Sequence, residues 1–520
     1  MYQEELEETI ESIAIIDFGS QVCHLIAKKI RNLGIHSLIV PHTISLPDLE
    51  KKKIVGVVLS GGPSSIYEEG APKLSFNVTD LKVPVLGICY GHQLLAHELG
   101  GKVLASDNRE YGVQELQIGR KDVIIAGLED KQPVVMSHGD RVEEIPPGFT
   151  TIGSTATCEH AIMVNDERKI FSVQFHPEVT HTKNGMSIFE KFLDYCTIQQ
   201  KWDLENKPEA IIHSIKQTIE KPVLMAVSGG VDSTVAATLI AQAVPDLLYC
   251  VFVNTGLLRH NEPEDVNEIF SNTFKNFEYI DATELFMEKL RGVTDPEKKR
   301  KIIGNTFIEV FEKKTDELRE KGWDFKYLGQ GTIYPDRIES SQPSKTSHVI
   351  KTHHNVGGLP ERMKLSLVEP LKEFYKDEVR ELGKKIGVDQ TLLDRKPFPG
   401  PGLGIRVLGE ITKERLKVLK KADYIFTEEL RKITAWKDLW QAFAVLLPVK
   451  TVGVMGDKRT YEEVCALRVV SSVNGMTADV PEIPFTVIQK VANKIVNEVE
   501  GINRVVLDVT GKPPATIEWE

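Results

Sequence analysis

Cysteine is scarce in this chain and follows no pattern. Six occur in 520 residues, at Cys23, Cys89, Cys158, Cys196, Cys250 and Cys465. None stand at CxxC spacing, so neither a disulfide framework nor a cysteine-rich metal site is expected, and a reducing, cytoplasmic setting fits best. There is also no excess of positive charge. Sixty-four Lys and Arg face 75 Asp and Glu for a formal net charge of -11, which argues against general nucleic-acid binding, because phosphate backbones are held by surplus cations. No apolar run approaches the roughly 20 residues of a membrane span. Tyr2 to Glu11 is acidic, unlike the basic-then-apolar start of a secretory signal. With internal repeats and low-complexity tracts also lacking, the expectation is a soluble protein with neither membrane nor nucleic-acid partners.

What remains is an ordinary globular composition, 41% hydrophobic and 27% charged, in a chain too long for one core. From Ser12 to about Gln200, short apolar runs alternate with helical patterns. Ile13 to Ile16, Gly56 to Leu59 and Val83 to Ile88 read as buried parallel strands, and Gln21 to Leu33 and His92 to Leu99 as helices. After a charged, helix-like segment at 201–221, a second α/β unit opens at Val223 to Val227, with a helix from Ser233 to Ala243 and a strand from Leu248 to Val253. Lys298 to Lys321 reads as a long amphipathic helix. The Gly-, Pro-, Ser- and His-rich stretch 331–360 is too long for a connection and is expected to be an active-site lid. Three prolines between Pro397 and Pro401 mark a third boundary. The expected fold is therefore α/β: two open, mostly parallel α/β domains, 1–200 and 201–396, plus a smaller C-terminal α+β domain, 397–520.

Two loops carry chemistry. In the first, Gly87-Ile88-Cys89-Tyr90-Gly91 follows a strand and precedes a helix, so the thiol stands on a tight turn at a helix N-terminus that favours thiolate. His176, in His176-Pro177-Glu178, is expected to take the thiol proton and return it to a leaving amine, with Glu178 holding the imidazole. Oxyanion donors are expected from the backbone of Gly62, in the glycine loop after Leu59, and of Tyr90. This is equipment for removing ammonia from the side-chain amide of L-glutamine through a thioester. The segment resembles the class I glutamine amidotransferase family, whose Cys-His-Glu triad lies in GxCxGxQ and HPE motifs; Gly87, Cys89, Gly91 and Gln93 match the first motif. That resemblance implies that Ser137-His138-Gly139-Asp140 lines the glutamine pocket, although His138 or Asp140 could equally cap a turn.

The second loop is Ser228-Gly229-Gly230-Val231-Asp232-Ser233-Thr234, again between strand and helix, where backbone N–H groups can cradle phosphates. It lacks the Gly-Lys-Ser/Thr ending of loops that transfer a γ-phosphate, so cleavage between α- and β-phosphates is expected. ATP is then a substrate, Asp232 a candidate Mg²⁺ ligand, and no prosthetic group is needed. The loop resembles that of the N-type ATP pyrophosphatase family.

The acceptor is not legible from either loop, and an NAD synthetase-like enzyme remains an alternative at this point. Gly331 to Asp336, Lys351 to Pro360, Phe398 to Leu403 and the terminal Lys512 to Glu520 are similar to the GMP synthase family over essentially the full length. The resemblance implies that xanthosine monophosphate (XMP) is adenylated and then aminated. It also implies XMP contacts at Arg300, Gln441, Arg504, Lys512, Ile517 and Glu518, and a homodimer built on the C-terminal domain. Asn254 stands where the family commonly has an acid, which puts a metal or ribose role there in doubt. The acidic extension before Ile13 and Val22-Cys23-His24 also depart from the family. His353 and His354 could be metal ligands in isolation; within the lid motif, contacts to phosphate or intermediate are expected.

Overall fold

The computed structural model describes residues 10–520 except 21, 122, 342–363, 456, 473, 474 and 476. The chain divides into two compact units, Met1–Asn206 and Lys207–Glu520.

In the first unit nine strands form one sheet in the order β2-β1-β3-β4-β9-β8-β7-β5-β6. They are β1 (Ser12–Asp17), β2 (His36–Pro41), β3 (Ile54–Leu59), β4 (Val85–Ile88), β5 (Lys102–Ile118), β6 (Lys131–Glu144), β7 (Thr150–Ser154), β8 (Ile162–Asn165) and β9 (Ile170–Val173). The strands from β2 through β9 pair in parallel and the rest antiparallel. β1 and β4 are buried along their whole length, as continuous apolar runs covered on both faces must be. Helix α1 (Tyr90–Glu98) follows β4. The β5–β6 hairpin was not legible in the sequence, because its polar and apolar residues alternate loosely and its register shifts between Ala105 and Glu110.

The second unit opens with a parallel sheet in the order β12-β11-β10-β13-β14: β10 (Val223–Ala226), β11 (Leu248–Asn254), β12 (Phe277–Asp281), β13 (Tyr327–Gly329) and β14 (Ser366–Val368). Helix α2 (Val231–Ala243) follows β10, and the long helix α3 (Pro296–Glu320) is N-capped by Asp295, whose carboxylate accepts from Lys298 N. A second sheet pairs β15 (Gln441–Met455) with β16 (Lys458–Val470) antiparallel and β16 with β17 (Ile502–Asp508) in parallel. Helices α4 (Lys413–Arg431) and α5 (Phe485–Glu498) complete it. The mixed α/β class with a smaller α+β sheet at the C-terminus is thus observed. Residue 397 separates sheets rather than cores: one buried cluster joins Leu224, Val251 and Phe286 to Leu416, Phe426, Ala444 and Val491. Of the expected lid, Tyr334–Ser341 is helical; Lys351 to Pro360, including His353 and His354, lies outside the described residues. No helix among the described residues is long and apolar enough to cross a membrane.

Candidate functional site

In the first unit, three neighbouring parallel strands, β3, β4 and β9, deliver the site at their carboxyl ends. Cys89 sits directly after β4 with φ 53° and ψ -103°, a left-handed conformation costly for a side-chain-bearing residue, and opens α1. The turn fits only because Gly91 lacks a Cβ, which would lie 2.4 Å from Leu59 O. From β9, His176 is fixed at both ends of its peptide: its N–H donates to Val135 O at 3.0 Å, and its carbonyl accepts from Thr182 Oγ1 at 2.6 Å. His176 Nδ1 and Glu178 Oε1 are 2.7 Å apart, with the Glu178 side chain fully buried. Burial pulls the imidazole pKa down, but Glu178 and Cys89 outweigh it, and the balance lies well above the ordinary histidine value.

The β3 loop closes over this pair. A Cβ built on Gly61 would lie 3.7 Å from Cys89 Cβ and 3.3 Å from His176 Cε1, and one on Gly62 would lie 3.3 Å from Tyr90 Cγ. The backbone N–H groups of Gly62 and Tyr90 find no acceptor among the described residues, as a waiting oxyanion site requires.

Ser137 to Asp140 lies in the middle of β6, not in a turn, so the turn-capping alternative is corrected. The Cys89 thiol donates to Ser137 O at 3.6 Å, and Gln93 Nε2 donates to Asp140 O at 2.8 Å. Behind that strand, His138 Nε2 meets Glu110 Oε2 at 2.9 Å, and Glu110 Oε1 accepts from Thr155 and Thr157. Glu110, His138 and Cys158 bring possible ligand atoms within 4.8 Å of one another. The cluster is a poor metal site: Glu110 Oε1 is already taken by two threonine hydroxyls, and burial with Glu110 nearby pushes the Cys158 thiol up to about 12.

In the second unit, Ser228 to Ser233 bridges β10 and α2. Gly229 has φ +74°, and a Cβ there would lie 2.7 Å from Val266 Cγ2. Hydroxyls tie the loop: Gly230 N donates to Ser228 Oγ at 3.2 Å, and Thr234 Oγ1 donates to Gly230 O at 2.8 Å. Two cations missed in the sequence brace it. Arg395 Nη1 donates to Gly229 O at 2.9 Å, and Lys376 Nζ lies 3.1 Å from Asp232 Oδ2. Among the described residues Asp232 Oδ1 is buried without a hydrogen-bond partner, which suits one carboxylate ligand to a Mg²⁺ ion. The loop lines a cavity of about 1220 Å³ together with Leu258 to Glu262 after β11 and Gln330 to Thr332 after β13, the carboxyl-end position where open α/β sheets bind ligands. Asn254 is outside that lining: its Oδ1 accepts from Gly256 N at 2.9 Å, and its Nδ2 donates toward Asp281 Oδ1 at 3.4 Å. An acid there would oppose Asp281, so the amide serves the turn.

The six positions assigned to the acceptor do not line this cavity, and they fall into separate groups. Arg300 Nη2 donates to Glu520 O, and Glu518 accepts two bonds from Arg406, at 2.8 and 3.1 Å. Ile517 packs on Phe443, Val445 and Ala466. Gln441 Nε2 donates to Pro397 O at 3.0 Å, leaving Oε1 buried and unpartnered. Lys512 Nζ donates to Gly475 O at 2.8 Å. Arg504 instead lines a separate cavity of about 390 Å³ with Asn493, Asn497 and Asn503. The C-terminal residues are far from frayed: the fully buried Lys299, Arg406 and Arg468 side chains all bond to the stretch Asp508 to Glu520. Arginines set within apolar strings, as in Gly404-Ile405-Arg406-Val407 and Ala466-Leu467-Arg468-Val469, were the available sequence signal.

Residues 14–196 match the model of the class I glutamine amidotransferase family, and 428–519 that of the GMP synthase C-terminal domain. A protein of Aquifex aeolicus called "GMP synthase [glutamine-hydrolyzing]" is 50% identical over 98% of this chain and 99% of its own. One of the same name from Brachyspira hyodysenteriae is 48% identical over 99% of this chain and 100% of its own. A solved glutamine amidotransferase of Thermotoga maritima, 25% identical, covers 33% of this chain and 76% of its own with a TM-score of 0.29. With relatives this similar from end to end, the chain belongs to the glutamine-hydrolysing GMP synthase family.

Proposed function

We propose that the two sites run in series. Cys89, relieved of its proton by His176, attacks the glutamine side-chain amide. The amides of Gly62 and Tyr90 receive the oxyanion, and His176, oriented by Glu178, returns the proton as ammonia leaves. Water then releases glutamate from the thioester by the reverse proton path. At the second site the loop Ser228 to Thr234 holds the phosphates of ATP while an XMP oxygen attacks the α-phosphorus, expelling pyrophosphate. Ammonia displaces AMP from adenyl-XMP, giving GMP. Asp232 supplies a ligand for Mg²⁺, which would screen the phosphate charge. Arg300, Gln441, Lys512, Ile517 and Glu518 serve the acceptor, together with Arg504.

The observation that carries this reading is the co-occurrence, in one chain of this family, of a strained nucleophile elbow set beside an imidazole–carboxylate pair and a phosphate-type loop facing a large cavity. The three-part division at 200 and 396 is retained as a division of labour. A homodimer through the C-terminal sheet is supported by the exposed Val452, Val454, Tyr461, Val506 and Val509, and a cytoplasmic setting by the six free cysteines. Purified protein given glutamine, Mg-ATP and either XMP or deamido-NAD tests the reading. AMP and GMP formation with XMP alone is expected, and equal AMP release with both acceptors sinks it.

A further inference from the structure

Beside the nucleotide loop, the cavity wall holds a buried cation with too few partners. Arg259 follows β11 and lines the cavity, its side chain only 20% exposed. A guanidinium has five donors, yet among the described residues the only hydrogen bond from this one runs from Nη2 to Ala442 O, at a long 3.4 Å. Asp423 Oδ2 is 3.4 Å from Nε, but Nε makes no hydrogen bond. Asp423 gives its other oxygen, Oδ1, to Ala444 N at 3.0 Å, so Oδ2 alone faces the guanidinium. Burial and the like charge of Arg406 act against the cation, and its pKa lies below the ordinary value despite Asp423 and Glu262.

The surroundings say which ligand would satisfy it. Arg259 and Arg406 lie over the Phe398 ring, each 5.1 Å from its centroid, and Arg406 holds Glu518. Among the described residues Arg406 Nη1 and Gln441 Oε1 are also buried without hydrogen-bond partners, and Gln441 adjoins the Ala442 carbonyl that Arg259 touches. Buried polar groups are almost always satisfied, so two orphaned arginine nitrogens over one ring, with a third orphan on the residue before Ala442, describe a surface that a polar ligand would complete. Phe398 is part of the cavity lining, which links this surface to the nucleotide loop.

We propose that Arg259 binds the acceptor nucleotide, offering its guanidinium fork to an anionic oxygen of XMP. The inference rests on the proposed reading of this cavity as the ATP site, with XMP entering it beside Phe398, where Arg406 holds Glu518. A guanidinium fork matches phosphate or a base oxygenate equally well, so the test distinguishes them.

Full-length wild type, R259K, R259Q and R259Q/D423N are compared for KM of XMP and of ATP in ammonia-driven AMP release, and for direct binding of ATP, XMP and xanthosine. In R259Q, XMP should weaken roughly 10- to 100-fold, the range of a charged hydrogen bond, with partial recovery in R259K and ATP affinity held within about threefold. A loss seen with XMP but not xanthosine puts the fork on the phosphate; a loss with both puts it on the base. XMP affinity unchanged in R259Q, or ATP weakened as much as XMP, overturns the proposal. If R259Q fails to fold, R259Q/D423N removes both charges and decides in the same way. Wild type that binds neither ATP nor XMP defeats the cavity reading itself, whereas wild type that binds both, matched by R259Q, defeats only the role of Arg259.

Discussion

The two sites differ in how far they are finished before a ligand arrives. At Cys89 the working groups already touch one another: thiol to Ser137 O, imidazole to Glu178, oxyanion loop against both. There too Glu178 Oε2 is an orphan, but in the second unit the orphans are more of the site: among the described residues Asp232 Oδ1 at the loop, Arg259 Nε at the cavity wall, and Arg406 Nη1 and Gln441 Oε1 beyond it are buried without a hydrogen-bond partner. The contrast follows from the chemistry. Covalent catalysis needs nucleophile and base in register beforehand, whereas a site of the kind proposed for two charged nucleotides presents polar atoms for its ligands to satisfy. The first site should therefore fail through geometry and protonation, and the second through loss of ligand binding.

The largest expected effect separates the sites outright. Cys89→Ala should lower glutamine-driven GMP formation by about 10⁴-fold or more while leaving the ammonia-driven reaction within about threefold; loss of both in folded protein would merge what is here kept apart. Asp232→Ala should reduce AMP release roughly 10²- to 10³-fold with either nitrogen donor, checked by chromatography of AMP. An effect restricted to glutamine would remove Asp232 from the nucleotide site.

Protonation gives the next test. Because Glu178 and Cys89 raise the His176 pKa, the imidazolium persists above the usual histidine range and is lost as pH rises through the raised value. Glu178→Gln removes one source of that rise. The alkaline limb of the glutaminase profile should move toward neutral pH and the maximum rate fall by about 10²-fold. An unmoved limb would assign it to another group.

The smallest effect tests stability away from both sites. Lys432, Lys490 and Lys494 each come within 2.8 Å of Glu429, and the carboxyl pKa is held far below its ordinary value, chiefly by their hydrogen bonds. The folded pKa is depressed, so this stabilisation is present above the ordinary carboxylate pKa of roughly 4.3 and fades as pH falls toward the depressed value. The lysines are 39–60% exposed and screened, so Glu429→Gln should cost about 1–2 kcal/mol at pH 7. The loss in denaturant midpoint should shrink on acidification, with both activities intact at 25 °C. A loss that grew on acidification would contradict the sign.

Much of this was readable in one dimension, and for local reasons. A nucleophile elbow is a strand, a glycine-bracketed turn and a helix in immediate succession, so Gly87 to Gly91 announces itself. The same holds for Ser228 to Thr234 between β10 and α2. Asp232 was legible as a carboxylate in a phosphate-type loop, but Lys376, 144 residues away, was not. Nothing around Glu110 distinguishes it from a surface glutamate; it is buried only because the β5–β6 hairpin folds it against His138 and Thr155.

By itself, then, the sequence determined which reactive groups exist and the backbone turns that expose them, since those are properties of contiguous residues. Tertiary structure alone decided which charges lost water and which found partners. That is why Arg468 is sealed against the C-terminal stretch, while Arg259 is left waiting at a cavity wall. An apolar string around Arg468 hints that it is buried, but the partner that a buried charge meets is brought by a distant segment, and no local pattern of residues names it.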